Sequence, residues 1–189
     1  MNVYDFDNTI YDGESCLDMF FWLIRRDRSL LKFIPQVFKA FAKYKKGEVT
    51  VEQALNDYAP KVEAYLEAHP GLLSDTSQFW DSHMKNIKSF YALQHRDDDL
   101  IITASPEVSV REICRRLGIE NVIGSVIDEE TGKIERLCMR ENKIKAFFEA
   151  YPEGGIDAFY TDSPENDKPL IDIAKEAYVV KGNKITRIK

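Results

Sequence analysis

Asp5 and Asp7, near the start of the chain, are the residues best suited to chemistry. They close a short apolar run, Val3–Phe6, and in a strand their side chains would point to the same side of the sheet. Two carboxylates held side by side repel each other unless a cation lies between them or one keeps a proton. The pair therefore predicts a carboxylate nucleophile, a neighbouring acid or base, and a Mg²⁺ site. A solvated turn is the alternative interpretation of an isolated Asp-x-Asp pattern.

A second motif follows the apolar run Leu100–Thr103, which ends in hydroxyl residues and then opens a helix. Free backbone amides at a helix start attract phosphate, so Thr103 and the backbone at Ala104 predict a phosphate-binding segment. Ser105 suits the helix cap, and Pro106 suits the first helical turn. Thr103 and Ser105 could each add a hydroxyl donor, but capping alone would explain Ser105, which leaves Thr103 for a dedicated role.

Lys143 and two later aspartates add charge to this set. Lys143 lies near the start of a helix, where a positive charge opposes the dipole, so we prefer it to Lys145 as the residue that screens a phosphate. Asp162 ends another predicted strand, at the edge where open α/β sheets bind ligands, and with Asp5 it would complete a Mg²⁺ site. Asp167 would cap the next helix, hold a metal-bound water or orient Lys143.

The elements that must position these residues follow from the hydrophobic pattern. Seven runs have the composition of strands: Val3–Phe6, Leu100–Thr103, Val122–Ile127, Ile134–Leu137, Ile156–Tyr160, Tyr178–Val180 and Ile185–Ile188. Eight segments have helical patterns: Leu17–Arg26, Leu30–Tyr44, Val51–Tyr58, Lys61–Ala68, Thr76–Leu93, Glu107–Leu117, Asn142–Ala150 and Asp167–Ala177. From Leu100 onward helices and strands mostly alternate, which predicts an α/β fold with a doubly wound, mostly parallel sheet.

The stretch between the first two predicted strands is almost entirely helical. A parallel crossover needs one helix, so this stretch is too long for a simple connection. We therefore predict an inserted helical cap at residues 13–89, beside a catalytic core formed by residues 1–12 and 90–189.

Charge is unevenly distributed over the 189 residues. The net charge is −6, but Ser15–Lys46 has eight basic and two acidic residues, so that segment carries 8 − 2 = +6 and the remainder carries −6 − 6 = −12. Such asymmetry indicates either an interaction surface or the solvated basic face of a helix. Unpaired spacing predicts that Cys16, Cys114 and Cys138 are reduced core residues. With no signal peptide and no membrane-length apolar run, a cytoplasmic protein is expected.

The order Asp-x-Asp-x-Thr, strand-Thr, Lys, then strand-Asp-x₄-Asp resembles the haloacid dehalogenase-like (HAD) hydrolases over the whole chain. The match is most specific at Asp5-Phe6-Asp7-Asn8-Thr9 and Tyr160-Thr161-Asp162-Ser163. The helical insertion resembles the small-cap, phosphoserine-phosphatase-like branch. The resemblance implies a Rossmann-like fold and a phosphatase, because Asp7 would be the base that a dehalogenase or an ATPase lacks.

The resemblance also implies a role for each residue. Asp5 would attack phosphorus and form an aspartyl-phosphate, while Asp7 would protonate the leaving oxygen and then activate water. Thr103 and Lys143 would hold the phosphoryl oxygens. The implied Mg²⁺ ligands are Asp5, the backbone carbonyl of Asp7 and Asp162, with Asp167 in support. The spacing from Asp162 to Asp167 is one residue longer than in many relatives, so Asn166 would share the supporting role.

The substrate is predicted less narrowly. Glu14 stands nine residues after Asp5, where phosphoserine phosphatases carry a substrate-binding Glu. By this resemblance, Tyr58 falls where those enzymes use an Arg for the substrate carboxylate, which argues against phosphoserine. A small phosphorylated metabolite and a lipid head-group phosphate both remain open, and no nucleic-acid partner is expected.

Residues 16–46 combine apolar, aromatic and basic side chains. This segment resembles one in HAD-type phosphatidylglycerophosphate phosphatases, which implies peripheral contact with the inner face of a membrane. The alternative is that its aromatic residues form the core of the cap. Two other function classes are alternatives: a non-catalytic HAD-like binding module, which the presence of Asp5, Asp7 and Asp162 disfavours, and a phosphotransferase.

Overall fold

The computed structural model describes residues 1–45, 60 and 62–189. Its centre is a single seven-stranded sheet. The strands are β1 (Asn2–Tyr4), β2 (Leu100–Pro106), β3 (Asn121–Ile127), β4 (Ile134–Arg136), β5 (Ala158–Thr161), β6 (Glu176–Lys181) and β7 (Lys184–Arg187). All seven predicted strands are confirmed, with ends that differ by up to three residues.

The sheet is doubly wound around β1, which lies at its centre. The strand order is β4-β3-β2-β1-β5-β6-β7; the five inner strands run parallel, and β4 and β7 pair antiparallel at the two edges. Val3 pairs with Leu100 on one side and with Phe159 on the other. The carboxyl ends of β1, β2 and β5 therefore meet at one edge, as the predicted Rossmann-like architecture requires.

Seven α-helices surround or extend this sheet within the described residues. They are α1 (Ser15–Ile24), α2 (Ile34–Lys45), α3 (Ser77–His83), α4 (Ser89–Gln94), α5 (Glu107–Arg116), α6 (Glu141–Ala150) and α7 (Lys168–Ile173). Short 3₁₀ helices cover Arg28–Phe33 and Met84–Asn86. A further helical stretch covers residues 62–67. The predicted helix at residues 51–58, including Tyr58, lies outside the described residues.

Three predicted helices are shorter or broken in the structure. Leu30–Tyr44 is divided, because the 3₁₀ turn ends where α2 begins and Pro35 fits the first turn of α2. Thr76–Leu93 is interrupted because the amides of Asp12 and Lys88 donate across to Asn86 and Ile10, which ties this region to the loop after β1.

The last helix, predicted to reach Ala177, ends at Ile173 instead. Ala177 lies in β6 and pairs with Phe159 of β5. Pairing with the neighbouring strand therefore determines the structure there and overrides the helical pattern of the local sequence. The backbone of Lys175 and Glu176 already donates to Ile156 and Asp157, which leads the chain into the sheet.

Both faces of the sheet are covered by apolar cores. Adjacent residues alternate between them: Tyr4 and Ile101 belong to one buried cluster, whereas Val3 and Leu100 belong to the other. The first cluster includes Val110, Ile113 and Cys114 of α5 and Phe79 and Trp80 of α3, and the second includes Ala146 and Phe147 of α6. This two-sided burial explains why the inner strands read as continuous apolar runs.

The segment predicted as a cap supplies α1, α2, the helical stretch at 62–67 and α3. Trp80 of α3 donates from Nε1 to the carbonyl of Ser109 in α5 at 2.8 Å, which fastens this segment to the core. The division at residues 13–89 stays a prediction. Among the described residues, no helix has both the length and the hydropathy needed to cross a bilayer. Cys114 and Cys138 are buried as expected, but Cys16 is exposed, so its prediction as a core residue was wrong.

A tight turn leads into α6, the helix that carries Lys143. The amide of Asn142 donates to the carbonyl of Met139 at 2.9 Å, and Arg140 between them has φ 47° and ψ −126°. These angles correspond to the second residue of a type II′ turn, which glycine normally occupies. Arg140 therefore holds a strained backbone immediately before the helix.

Replacing Arg140 by glycine is expected to stabilise the protein by about 1 kcal/mol, because glycine adopts these angles without steric cost. Arg140→Ala is the matched control, since it removes the same side chain but keeps a Cβ and its strain. Thermal or urea denaturation of the two variants provides the comparison. Equal stability of the glycine and alanine variants would contradict a strained turn.

Candidate active site

Asp5 and Asp7 lie in the loop that follows β1. The amide of Asp5 donates to the carbonyl of Tyr160 at 2.9 Å, so the chain stays against β5 for one residue beyond β1. It then turns sharply: Ile10 and Tyr11 donate to the carbonyl of Phe6, each at 2.9 Å. The predicted strand to Phe6 thus ends early, and the two aspartates are brought to one cavity by a turn.

Lys143 joins two aspartates from different loops. Its Nζ lies 2.9 Å from Oδ1 of Asp5 and 2.8 Å from Oδ1 of Asp167, and all three side chains are buried. The hydroxyl of Thr161, the last residue of β5, donates to Oδ2 of Asp167 at 2.7 Å. Asp167 makes no side-chain cap bond to α7, so of its three predicted roles the orientation of Lys143 matches its contacts.

The protonation states of this cluster are coupled. Burial by itself would lower the pKa of Lys143, but the carboxylates of Asp5 and Asp167 outweigh it and hold that pKa above its ordinary value. Burial raises the pKa of Asp5 to about 8; Lys143 opposes this rise, and the charges of Asp167 and Asp162 add to it. The ammonium group thus stays charged, while the carboxylates around it exceed it in number.

The carboxylate of Asp7 has a different set of partners. Its Oδ1 accepts a hydrogen bond from the amide of Ser15 at 2.7 Å, at the start of α1, and its Oδ2 accepts one from the hydroxyl of Ser105 at 2.6 Å. Burial raises the pKa of Asp7, and both hydrogen bonds oppose that rise. Because a serine hydroxyl can donate or accept, Ser105 can follow Asp7 through either protonation state.

Ser105 is the site residue whose role the sequence analysis missed. It was expected to cap α5, but it lies within β2, Pro106 precedes the helix, and α5 has no side-chain cap. The available signal was its position two residues after Thr103, which in a strand places both side chains on one side. Indeed, the Ser105 amide donates to Oγ1 of Thr103 at 3.1 Å.

The two predicted phosphate-binding residues at the end of β2 differ in their exposure to the cavity. Ala104 is exposed and lines the cavity, together with Ser105. Thr103 is buried behind them, with 1% of its surface exposed. Lys143 lines the same cavity, whereas Lys145 is exposed on the surface of α6.

The loop after β5 brings Asp162 and Asn166 to the same cavity. The amide of Asp162 donates to the Thr9 hydroxyl at 2.9 Å, which ties this loop to the one after β1. Asn166 donates from Nδ2 to the hydroxyl of Ser163 at 2.8 Å. Glu14 lies at the cap side of the cavity, where its Oε1 accepts a hydrogen bond from Asn8 at 2.8 Å.

The donor set at this edge suits a divalent cation with few protein ligands. The described residues contain no group of three or more His, Cys, Asp or Glu side chains arranged as a complete metal centre. Two carboxylates, those of Asp5 and Asp162, face one cavity, and Lys143 contacts only Oδ1 of Asp5. Burial also raises the pKa of Asp162, and the charge of Asp167 adds to this rise. An added cation would favour the ionised form of these carboxyl groups, which burial disfavours, and Mg²⁺ commonly keeps several water ligands.

A cavity of about 800 Å³ is lined at one end by Asp5, Asp7, Ser105, Lys143, Asp162 and Asp167. Its polar end is formed by the carboxyl edge of the sheet, and its other walls come from α1, α2 and the helical stretch at 62–67. This size falls within the range of cavities that hold small-molecule ligands. The arrangement can bind an anion beside Lys143 and offer it two carboxylates held by separate partners.

Comparison with known proteins identifies relatives of this arrangement. The family model described as haloacid dehalogenase-like hydrolase matches residues 3–172. No curated protein matches the chain. A protein of unknown function from Bordetella pertussis Tohama I is similar in fold, with 20% identity and a TM-score of 0.67 over 94% of this chain and 87% of that one. A phosphoserine phosphohydrolase-like protein from Francisella tularensis has 17% identity and a TM-score of 0.51 over 94% of this chain and 86% of that one. Phosphoserine phosphatase from T. onnurineus has 18% identity and a TM-score of 0.51 over 94% of this chain and 81% of that one.

The family match spans most of the chain, and the acidic motifs that suggested it lie together at the carboxyl edge of the sheet. The fold likeness to phosphoserine phosphatases agrees with the predicted branch. The chain belongs to the haloacid dehalogenase-like hydrolases.

Proposed function

We propose that the protein is a Mg²⁺-dependent phosphomonoester hydrolase that works through an aspartyl-phosphate on Asp5. The observation that carries the proposal is the difference between the two aspartates at one cavity. Asp5 is held 2.9 Å from the Lys143 ammonium, whereas Asp7 is held by Ser15 and Ser105. A nucleophile and an acid/base need such separate environments. The phosphoserine phosphatases among the structural neighbours support phosphomonoesters as the substrate class.

The reaction divides into two displacements at phosphorus. In the first, a carboxylate oxygen of Asp5 forms a bond to phosphorus as the ester oxygen leaves, and Asp7 gives its proton to that oxygen. In the second, water attacks phosphorus and gives a proton to Asp7, and the bond to Asp5 breaks, which releases phosphate. The raised pKa of buried Asp7 favours the protonated state that the first step uses.

Charge neutralisation is the other requirement of phosphoryl transfer. Lys143 would contact the phosphoryl oxygens, and Asp167 would keep its ammonium group in position and charged. Asp5, Asp162 and the backbone carbonyl of Asp7 would hold Mg²⁺, with Asp167 and Asn166 in support. The cation would neutralise charge on the phosphoryl group. Backbone groups at Ala104, supported by Thr103, would seat the remaining phosphoryl oxygens.

The substrate beyond its phosphate is a small phosphorylated metabolite or a lipid head-group phosphate, and Glu14 would contact it. For residues 16–46 we propose peripheral contact with an anionic membrane surface. Phe21 and Leu31 are 40% and 48% exposed, so the apolar residues of this segment are not all core, and basic residues flank them. Such contact would place the protein in the cytoplasm at the inner face of a membrane.

The roles of Asp5 and Asp7 can be distinguished with the variants Asp5→Asn and Asp7→Asn. The substrate is p-nitrophenyl phosphate, whose leaving group needs no proton. Asp5→Asn should lose at least about a thousandfold in kcat because no nucleophile remains. Asp7→Asn should release about one equivalent of nitrophenolate per site and then stall as the acyl-phosphate, because water lacks its base. Stopped-flow absorbance and hydroxylamine trapping measure both. Full activity of Asp5→Asn would refute the assignment.

The metal assignment is tested by Asp162→Asn. Loss of one hard carboxylate ligand should raise the Mg²⁺ concentration for half-maximal activity by about 10- to 100-fold. Asp172→Asn is the control, because Asp172 is an exposed aspartate paired with Lys168 on α7. Activity is titrated with Mg²⁺ after removal of cations with EDTA. The same Mg²⁺ dependence in both variants, or undiminished activity in EDTA, would contradict the proposal.

The hydroxyl of Ser105 should matter through Asp7. Ser105→Ala removes a charge-assisted hydrogen bond, and kcat should fall by roughly 10- to 100-fold with a smaller change in KM. Ser109→Ala is the matched control, since the buried Ser109 hydroxyl has no hydrogen-bond partner among the described residues. Steady-state kinetics compare the two. Equal, small effects would mean that Ser105 does not position Asp7.

A further inference from the structure

The cavity extends from the carboxylates into an apolar chamber under the helices of the cap segment. The chamber walls include Phe20 and Leu23 of α1, Phe33 of the following 3₁₀ helix, Val37 of α2, and Leu66 and Leu73 of the next segment. A phosphoryl group at Asp5 would fill only a small part of about 800 Å³. Most of the volume is therefore left for the organic part of a substrate.

Few polar groups could recognise a charged or hydroxylated organic group in that chamber. Of the described residues that line the cavity, only Lys143 and Arg140 are cationic, and Lys143 is already shared by two carboxylates. Tyr65 lines the wall, but its hydroxyl donates to Asp27 at 3.0 Å. Glu14 lines the cavity, but the chamber walls named above are all apolar, so a group that carries both an ammonium and a carboxylate would lose its hydration against them.

We propose that the substrate is a phosphomonoester with a long aliphatic chain, whose hydrocarbon lies against these apolar side chains while its phosphate meets Asp5. This inference rests on the proposed phosphatase function and specifies the substrate class of the same site. Removal of the chain from water against apolar side chains supplies the affinity, roughly in proportion to the area buried. The two sources of such a molecule are a monomer in solution and a lipid in a bilayer.

The first test is a series of n-alkyl phosphates of two to ten carbons, each kept below its critical micelle concentration, with Mg²⁺ present. We expect kcat/KM to rise about two- to fourfold with each added methylene until the chamber is filled. Phosphoserine should be turned over less efficiently than butyl phosphate. Equal kcat/KM along the series would overturn the inference.

Two neighbouring residues of α2 provide matched variants. Val37 lines the chamber, whereas Phe38 lies outside the lining and is 57% exposed. Val37→Glu should abolish the dependence on chain length, because a carboxylate in the chamber wall opposes burial of the hydrocarbon. Phe38→Glu should leave the slope unchanged. The same slope in all three proteins, or loss of the slope in Phe38→Glu alone, would contradict the chamber as the binding site.

The series remains decisive if Val37→Glu fails to fold, because the wild-type slope alone supports or overturns the inference. Failure of the phosphatase proposal has a separate signature, since then neither ethyl phosphate nor p-nitrophenyl phosphate would release phosphate. Release from small esters with no effect of chain length would overturn only the aliphatic substrate.

The source of the chain is distinguished with hexadecyl phosphate in phosphatidylcholine vesicles. Turnover of octyl phosphate monomers and of the vesicle-bound ester would support the inference with a lipid source. Turnover of the monomers alone would support it with a soluble source. Turnover of short-chain and long-chain esters at equal efficiency in both settings would overturn it.

Discussion

The buried ammonium of Lys143, shared between Asp5 and Asp167, is the interaction on which the site depends. Removal of this ammonium from water is unfavourable. The carboxylate oxygens of Asp5 and Asp167, 2.9 and 2.8 Å from Lys143 Nζ, offset that penalty. The same contacts fix the orientation of Asp5 and prevent the lysine from losing its proton. The cluster still contains more carboxyl groups than cationic groups, so under the proposed function it would suit a cation and an anion bound together.

The sheet supplies the precision that this cluster needs. Asp5 follows the central strand, Asp167 is held by Thr161 at the end of the neighbouring strand, and Lys143 comes from a helix packed on one face. Lys143 and Asp5 are 138 positions apart in the chain, yet the packing of α6 on one face of the sheet brings them into contact. The fold, and not the local sequence, thus brings the charged residues together at the edge where open α/β sheets bind ligands.

The sequence could predict the elements better than the contacts between them. All seven strands follow from apolar runs, because burial on both faces leaves a strong local signal. The break in the predicted helix between His83 and Ser89 could not be foreseen, since its cause is pairing with the loop after β1. Ser105 looked like a helix cap locally, but its hydroxyl contacts Asp7, 98 positions away. Likewise, nothing in its own neighbourhood marks Arg140 as the residue in a glycine-favoured turn.

The two proposed chemical steps differ in whether water should be present in the cavity. Apolar walls beside Asp5 and Lys143 lower the local dielectric and strengthen their interaction with a phosphoryl group. A hydrocarbon chain in the chamber would exclude water further and so favour transfer of the phosphoryl group to Asp5. Hydrolysis of the proposed aspartyl-phosphate, however, would require one water near Asp7. Departure of the proposed aliphatic alcohol would admit that water, so the proposed mechanism would release the alcohol before the aspartyl-phosphate is hydrolysed.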